Sequence, residues 1–141
     1  MKILFAVDGS DRSTAALDLL VAHVSWFREA PSVTLANVHP PIPYPGAAAR
    51  AGREAVQRYY DEESQKILQP AKARLEAKGI LADAVALVGD PAEEIARYAA
   101  RHESDLIAMG THGRTGLSNL VLGSVATKVL AQAKVPVLLL R

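Results

Sequence analysis

Cysteine is absent from this chain, which excludes disulfides, thiol catalysis and thiolate metal sites at the outset. A surplus of either charge is missing too. Sixteen Lys and Arg against fifteen Asp and Glu leave a formal net charge of +1, giving no electrostatic footing for nucleic acid or an anionic membrane. No apolar run approaches the length that spans a bilayer, and residues 1–7 are too short, and too soon followed by Asp8 and Asp11, for a signal peptide. The expectation is a cytoplasmic protein with neither membrane nor nucleic acid as a partner. Two familiar phosphate-binding patterns are also missing: the loop ending in Gly-Lys-Ser/Thr and the G-x-G-x-x-G fingerprint. What remains is 141 residues, 50% hydrophobic and 22% charged, without repeat or linker, which suits a single domain over 1–141.

Five short β-rich runs alternate with four helical ones. Residues 3–7 form the first run and end in the turn Asp8-Gly9-Ser10-Asp11. Ala15, Ala16, Leu19, Leu20, Ala22, His23 and Trp26 then recur at helical spacing, with Ser10 or Asp11 as the N-cap. Residues 33–38 are the second strand. Residues 39–52, rich in proline, read as a crossover loop or as a flap over a ligand. Residues 53–78 carry one apolar helical face, interrupted by Pro70, where a kink or break is expected, with Gly79 as the stop. Residues 81–88 are the third strand. Asp90-Pro91 with Glu93 opens the next helix, and residues 105–108 and 136–140 are the last strands. The alternation predicts an α/β fold: an open, doubly wound, Rossmann-like parallel sheet with helices on both faces.

Chemistry concentrates in residues 109–125. A buried strand runs into a glycine turn, and a second small-residue turn, Gly123-Ser124, opens the last helix. Glycines let backbone N–H groups approach an anion, and a helix start supplies unpaired donors. Gly110, Gly113, Gly123 and Ser124 fit G-x2-G-x9-G-[ST], which resembles the nucleotide-binding signature of the universal stress protein family. The resemblance extends to Val7-Asp8-Gly9-Ser10, Gly89-Asp90-Pro91 and Val135-Pro136-Val137-Leu138, and so covers nearly the whole chain. It implies strand order 3-2-1-4-5 and an ATP-binding member. It also implies a homodimer formed through strand 136–140, with Val137 and Leu139 near the axis and Leu138 the place where a proline would disrupt pairing.

The resemblance gives Asp8 the adenosine moiety, and bare turn chemistry gives it its own backbone. Val38 matches the position that flanks adenine. Asn37 stands before it where the family commonly has histidine, and His39 follows. The phosphate cradle would comprise Met109, Gly110, Thr111, His112, Gly113, Arg114, Gly123, Ser124 and Val125. His112 has no Ser/His/Asp set or metal-spaced histidine beside it, so its backbone N–H is the expected contact. Lys128 is expected to face solvent. Magnesium could arrive with the triphosphate, but no protein ligands for it can be named.

No general base, arginine finger or two-metal carboxylate pair is evident, so the sequence indicates at most a slow ATPase. The leading reading is an ATP-binding regulator or sensor in stress response. Open beside it stand an AMP- or cyclic-AMP-binding version, an enzyme processing adenine nucleotides by slow hydrolysis or adenylyl transfer, and a nucleotide-free interaction scaffold.

Overall fold

The first strand sits at the centre of the molecule. In the computed structural model, which describes residues 1–43, 46, 50, 52–113 and 122–141, β1 (Lys2–Ala6) buries Ile3, Leu4 and Phe5 almost completely. It pairs in parallel with β2 (Ser32–His39) on one side and β4 (Leu106–Gly110) on the other, so Ala6 lies between Ala36 and Met109. β3 (Ala82–Val88) extends the sheet beyond β2, and β5 (Val137–Leu140) extends it beyond β4. The order is β3-β2-β1-β4-β5, with every pair parallel, as the resemblance implies.

Alternation along β1 divides the apolar residues between two layers. Ile3 and Phe5, with Val33 and Leu35 of β2, pack under α1 (Asp11–Ala22) and α2 (Arg53–Glu76) through Leu17, Leu20, Leu68 and Leu75. Leu4, with Ile107 and Met109 of β4, packs under α3 (Pro91–Arg101) and α4 (Ser124–Gln132) through Ile95, Ala99, Ala126 and Val129. Helices therefore cover both faces of an open sheet, the expected α/β architecture.

Three expectations need correction. Trp26 does not belong to the apolar face of α1. That helix ends at Ala22, where the His23 N–H is shared between the Leu19 and Leu20 carbonyls, and a single 3₁₀ turn (Val24–Trp26) leaves Trp26 exposed against the His23 ring. The row that faces the sheet is Ser13, Ala16, Leu17 and Leu20.

Pro70 does not break α2, which is one helix of 24 residues. Its inward face is buried on both sides of the proline, at Tyr60, Ser64 and Leu68 before it and Ala71 and Leu75 after it. Packing holds the helix through the missing Pro70 N–H, and the proline itself is exposed.

The third correction concerns β5. The Pro136 carbonyl accepts from Ile107 N–H and the Leu140 carbonyl from Thr111 N–H, so even-numbered residues of this strand turn their backbone groups toward β4. Leu138 thus belongs to the inner ladder. Val137 and Leu139 carry the outward N–H and C=O groups, and a proline aimed at the outer edge belongs at Leu139.

Local chemistry explains the turn after β1. Ser10 caps α1 by accepting the Ser13 N–H at 3.1 Å, and Asp8 Oδ1 accepts from the Ser10 N–H and hydroxyl at 3.0 and 2.6 Å. Gly9 between them has φ +78°, and a Cβ there would stand 2.9 Å from Ile67 of α2. Gly9→Ala should therefore destabilise the fold by about 1–2 kcal/mol for the left-handed backbone, plus the displacement of Ile67. Urea denaturation of the variant measures it.

Candidate functional site

Parallel strands beside β1 place their carboxyl ends together, and the helices leave those ends on opposite faces of the sheet. A cleft of ≈ 520 Å³ opens there. This is the place where an open α/β sheet receives ligands, at the point where strand order reverses. Its size is that of an ordinary small-molecule site.

The β4 side of the cleft is built from main chain. Gly110 ends β4, the Thr111 N–H donates to the Leu140 carbonyl at 3.1 Å, and the Gly123 N–H donates to the Thr111 carbonyl at 2.8 Å. The first bond ties Thr111 to the end of β5 and the second ties it to the start of α4. A Cβ on Gly123 would meet the Thr111 carbonyl at 3.2 Å and His112 Cα at 3.3 Å. A Cβ on Gly113 would press into the Asp8 carboxylate oxygen Oδ2. An added side chain at either position would press on the protein itself, before any ligand arrives.

The start of α4 lacks a side-chain cap, and its first intrahelical bond runs from the Thr127 N–H to the Gly123 carbonyl. The N–H groups of Ser124, Val125 and Ala126 therefore have no helical partner, and all three residues line the cleft. Together with the positive end of the helix dipole they make a corner whose chemistry suits an anion. Among the described lining residues the formal charges are those of Asp8 and Glu63, so this corner attracts anions through backbone dipoles.

The other side of the cleft is apolar. Val38 lies one residue before the end of β2, Met109 shares its face of the sheet from β4, and Ile95 with Pro91 closes the α3 side. Ile67 and Glu63 of α2 wall the opposite face. The loop after β2 is held against α2, where Tyr60, 7% exposed, accepts the Ile42 N–H at 2.8 Å and its ring lies 5.0 Å from that of His39. The remaining proline-rich stretch, at residues 44, 45, 47–49 and 51, falls outside the described residues.

Asp8, Val38, Met109, Gly110, Thr111, His112, Gly113, Gly123, Ser124 and Val125 all line this one cleft. Arg114 lies outside the described residues. Asp8 is a turn former and a cleft residue at once. Its place against Gly113 shows that β1 and the β4 loop are adjacent at this end. His112 Nδ1 lies 3.0 Å from Thr111 Oγ1, and its Nε2 is buried without a hydrogen-bond partner.

Lys128 ion-pairs with Asp90 at 3.3 Å across α3 and α4, in addition to facing solvent. The Glu93 N–H, with Lys128 and the Ala92 N–H, holds the Asp90 carboxyl below its ordinary range. Among the described residues no group of three His, Asp or Glu could hold a metal, so nothing is assigned to magnesium here.

Sequence reading did not find Ile67, Glu63, Pro91 or Ile95. Their helices were legible, but which helical face overhangs the strand ends depends on packing. The helix start Asp90-Pro91, directly after β3, was the one signal available for Pro91.

The family model of the universal stress protein family matches residues 1–141. The chain belongs to this family. It is similar to universal stress protein MJ0531 of Methanocaldococcus jannaschii, at 35% identity over 141 residues covering 99% of this chain and 81% of the relative. The solved structure of MJ0577, a universal stress protein of the same organism, superposes with a TM-score of 0.81 at 29% identity, covering 99% of this chain and 94% of that one. The universal stress protein of Archaeoglobus fulgidus, solved in complex with dAMP, shares the fold with a TM-score of 0.66 at 23% identity, covering 100% of this chain and 98% of that one.

Packing of Gly113 on Asp8 makes a prediction for this universal stress protein. Gly113→Ala should destabilise it by about 1–3 kcal/mol, and in an Asp8→Ala background most of that cost should vanish. Chemical denaturation of both singles and the double measures the coupling. Additive costs would place the constraint elsewhere.

Proposed function

We propose that this universal stress protein binds an adenine nucleotide in the cleft, ATP foremost, and acts as a nucleotide-dependent regulator in stress response. The observation that carries the reading is the set of unpartnered Ser124, Val125 and Ala126 N–H groups lining one cleft with the apolar Val38, Ile95 and Met109. A ligand with phosphate at one end and a flat apolar base at the other satisfies both. The dAMP complex of the Archaeoglobus fulgidus protein supports the reading at the level of the shared fold.

Magnitudes say how the work divides. Micromolar affinity corresponds to about 8 kcal/mol, whereas one contact at an exposed helix terminus contributes about 0.3–1 kcal/mol. Burial of the base must supply most of the binding, and the backbone donors orient the phosphates. Binding is the proposed activity, with turnover slow at most.

Calorimetric titration with ATP, AMP and cyclic AMP tests this. The expected result is micromolar binding of at least one of them, tightest for ATP, and its loss in Gly123→Val with the fold retained. Retention of wild-type affinity in that variant would sink the cradle assignment. Phosphate release from ATP should be far slower than the roughly 10 per second of a median enzyme. A rate in that range, abolished by one change in the loop, would make the protein an ATPase.

We also infer a homodimer through β5. This strand ends one side of the sheet, with Val137 and Leu139 turning backbone groups outward, and pairing with the same strand across a two-fold axis would satisfy both rows. Light scattering should give a dimer at micromolar concentration, and Leu139→Pro should shift it to monomer while sparing the inner ladder. A monomeric unmodified protein contradicts this.

A further inference from the structure

Asn37 stands in β2 where a buried amide needs a reason. It is 4% exposed, and its Nδ2 donates to the Val7 carbonyl at 2.9 Å, tying the end of β1 to β2 just before Asp8. A carbonyl can only accept, so the amide must present its nitrogen there, and Oδ1 is turned the other way. No hydrogen bond to that oxygen exists among the described residues. The described side-chain polar atoms that are both sealed from solvent and unpartnered are Ser64 Oγ and His112 Nε2. Asn37 Oδ1 is not one of them, so it is not sealed from solvent, and Asn37 lines the cleft.

The Val7 bond engages the amide nitrogen, and the chemistry left to Oδ1 is acceptor only. β2 lies two strands from β4, about 10 Å across the sheet. A nucleotide whose phosphates sit at Ser124–Ala126 N–H groups on the β4 side would carry its nucleoside half over β1 and β2. We propose that Asn37 Oδ1 is a specificity determinant of the cleft, accepting a hydrogen bond from a donor on the nucleoside: the exocyclic amine of the base or a ribose hydroxyl. A base with a carbonyl in place of that amine would set acceptor against acceptor. The inference rests on the nucleotide reading of the cleft and adds to it the group that selects the nucleoside.

The strand-tying role of Asn37 needs only Nδ2, so deletions on the ligand separate the two roles. The parent nucleotide is whichever of ATP and AMP binds more tightly. Its 2′-deoxy, 3′-deoxy and purine-riboside analogues, the last lacking the 6-amino group, are titrated against the unmodified protein and against Asn37→Leu. One analogue should bind the unmodified protein about 10-fold more weakly than the parent, the size of a single buried hydrogen bond, and in Asn37→Leu the two should agree within about 2-fold. A difference that persists in the folded variant overturns the assignment. If the variant does not fold, equal affinity of all analogues for the unmodified protein overturns it equally. Binding of no purine nucleotide at all overturns the nucleotide reading and this inference with it, whereas tight parent binding with indifferent analogues overturns this inference alone.

Discussion

Everything at the functional end of the molecule follows from the double pairing of β1. Hydrogen-bonded to β2 on one edge and β4 on the other, with Ile3, Leu4 and Phe5 sealed, β1 holds two distant stretches of chain side by side. The chain leaves β1 and β2 toward one face of the sheet and β4 toward the other, so the strand ends cannot be covered by one connection. The cleft is the space this topology leaves. Asn37 reinforces it by carrying the β1–β2 link past the last ladder bond to the Val7 carbonyl.

Glycine usage in the β4 loop has a cause inside the protein. Gly113 gives room to the Asp8 carboxylate, and Gly123 lets the Thr111–His112 backbone lie on the start of α4. The same close packing that needs no side chain at these positions brings N–H groups to the surface of the cleft. Phosphate binding would thus be a by-product of how tightly the loop is laid against the helix. Among the described residues lining the cleft there is no lysine or arginine.

Much of this was legible in the sequence, for identifiable reasons. Strand positions followed from apolar runs bounded by turn residues, and Ser10 and Asp90 announced their helices because capping is local chemistry. The cleft residues on β1, β4 and α4 were legible because their spacing matches a family pattern. Propensity misjudged Pro70, because the helix around it is held by Leu68, Ala71 and Leu75 against the sheet. Periodicity extended α1 to Trp26, because an apolar residue at the right spacing says nothing of where the chain must turn back. Ile67 and Ile95 were invisible as site residues, since an isoleucine on a helix face reads as core until the fold shows what it faces.

In the proposed complex, main-chain donors at the α4 start receive the ligand's phosphates while β2 receives its base. Amide chemical-shift mapping with ATP tests it residue by residue. The predicted result is that the largest perturbations fall on Gly110–Gly113 and on Ser124, Val125 and Ala126, with a second group at Asn37 and Val38. Saturable shifts confined to surfaces away from the cleft, with these amides unmoved, would contradict it.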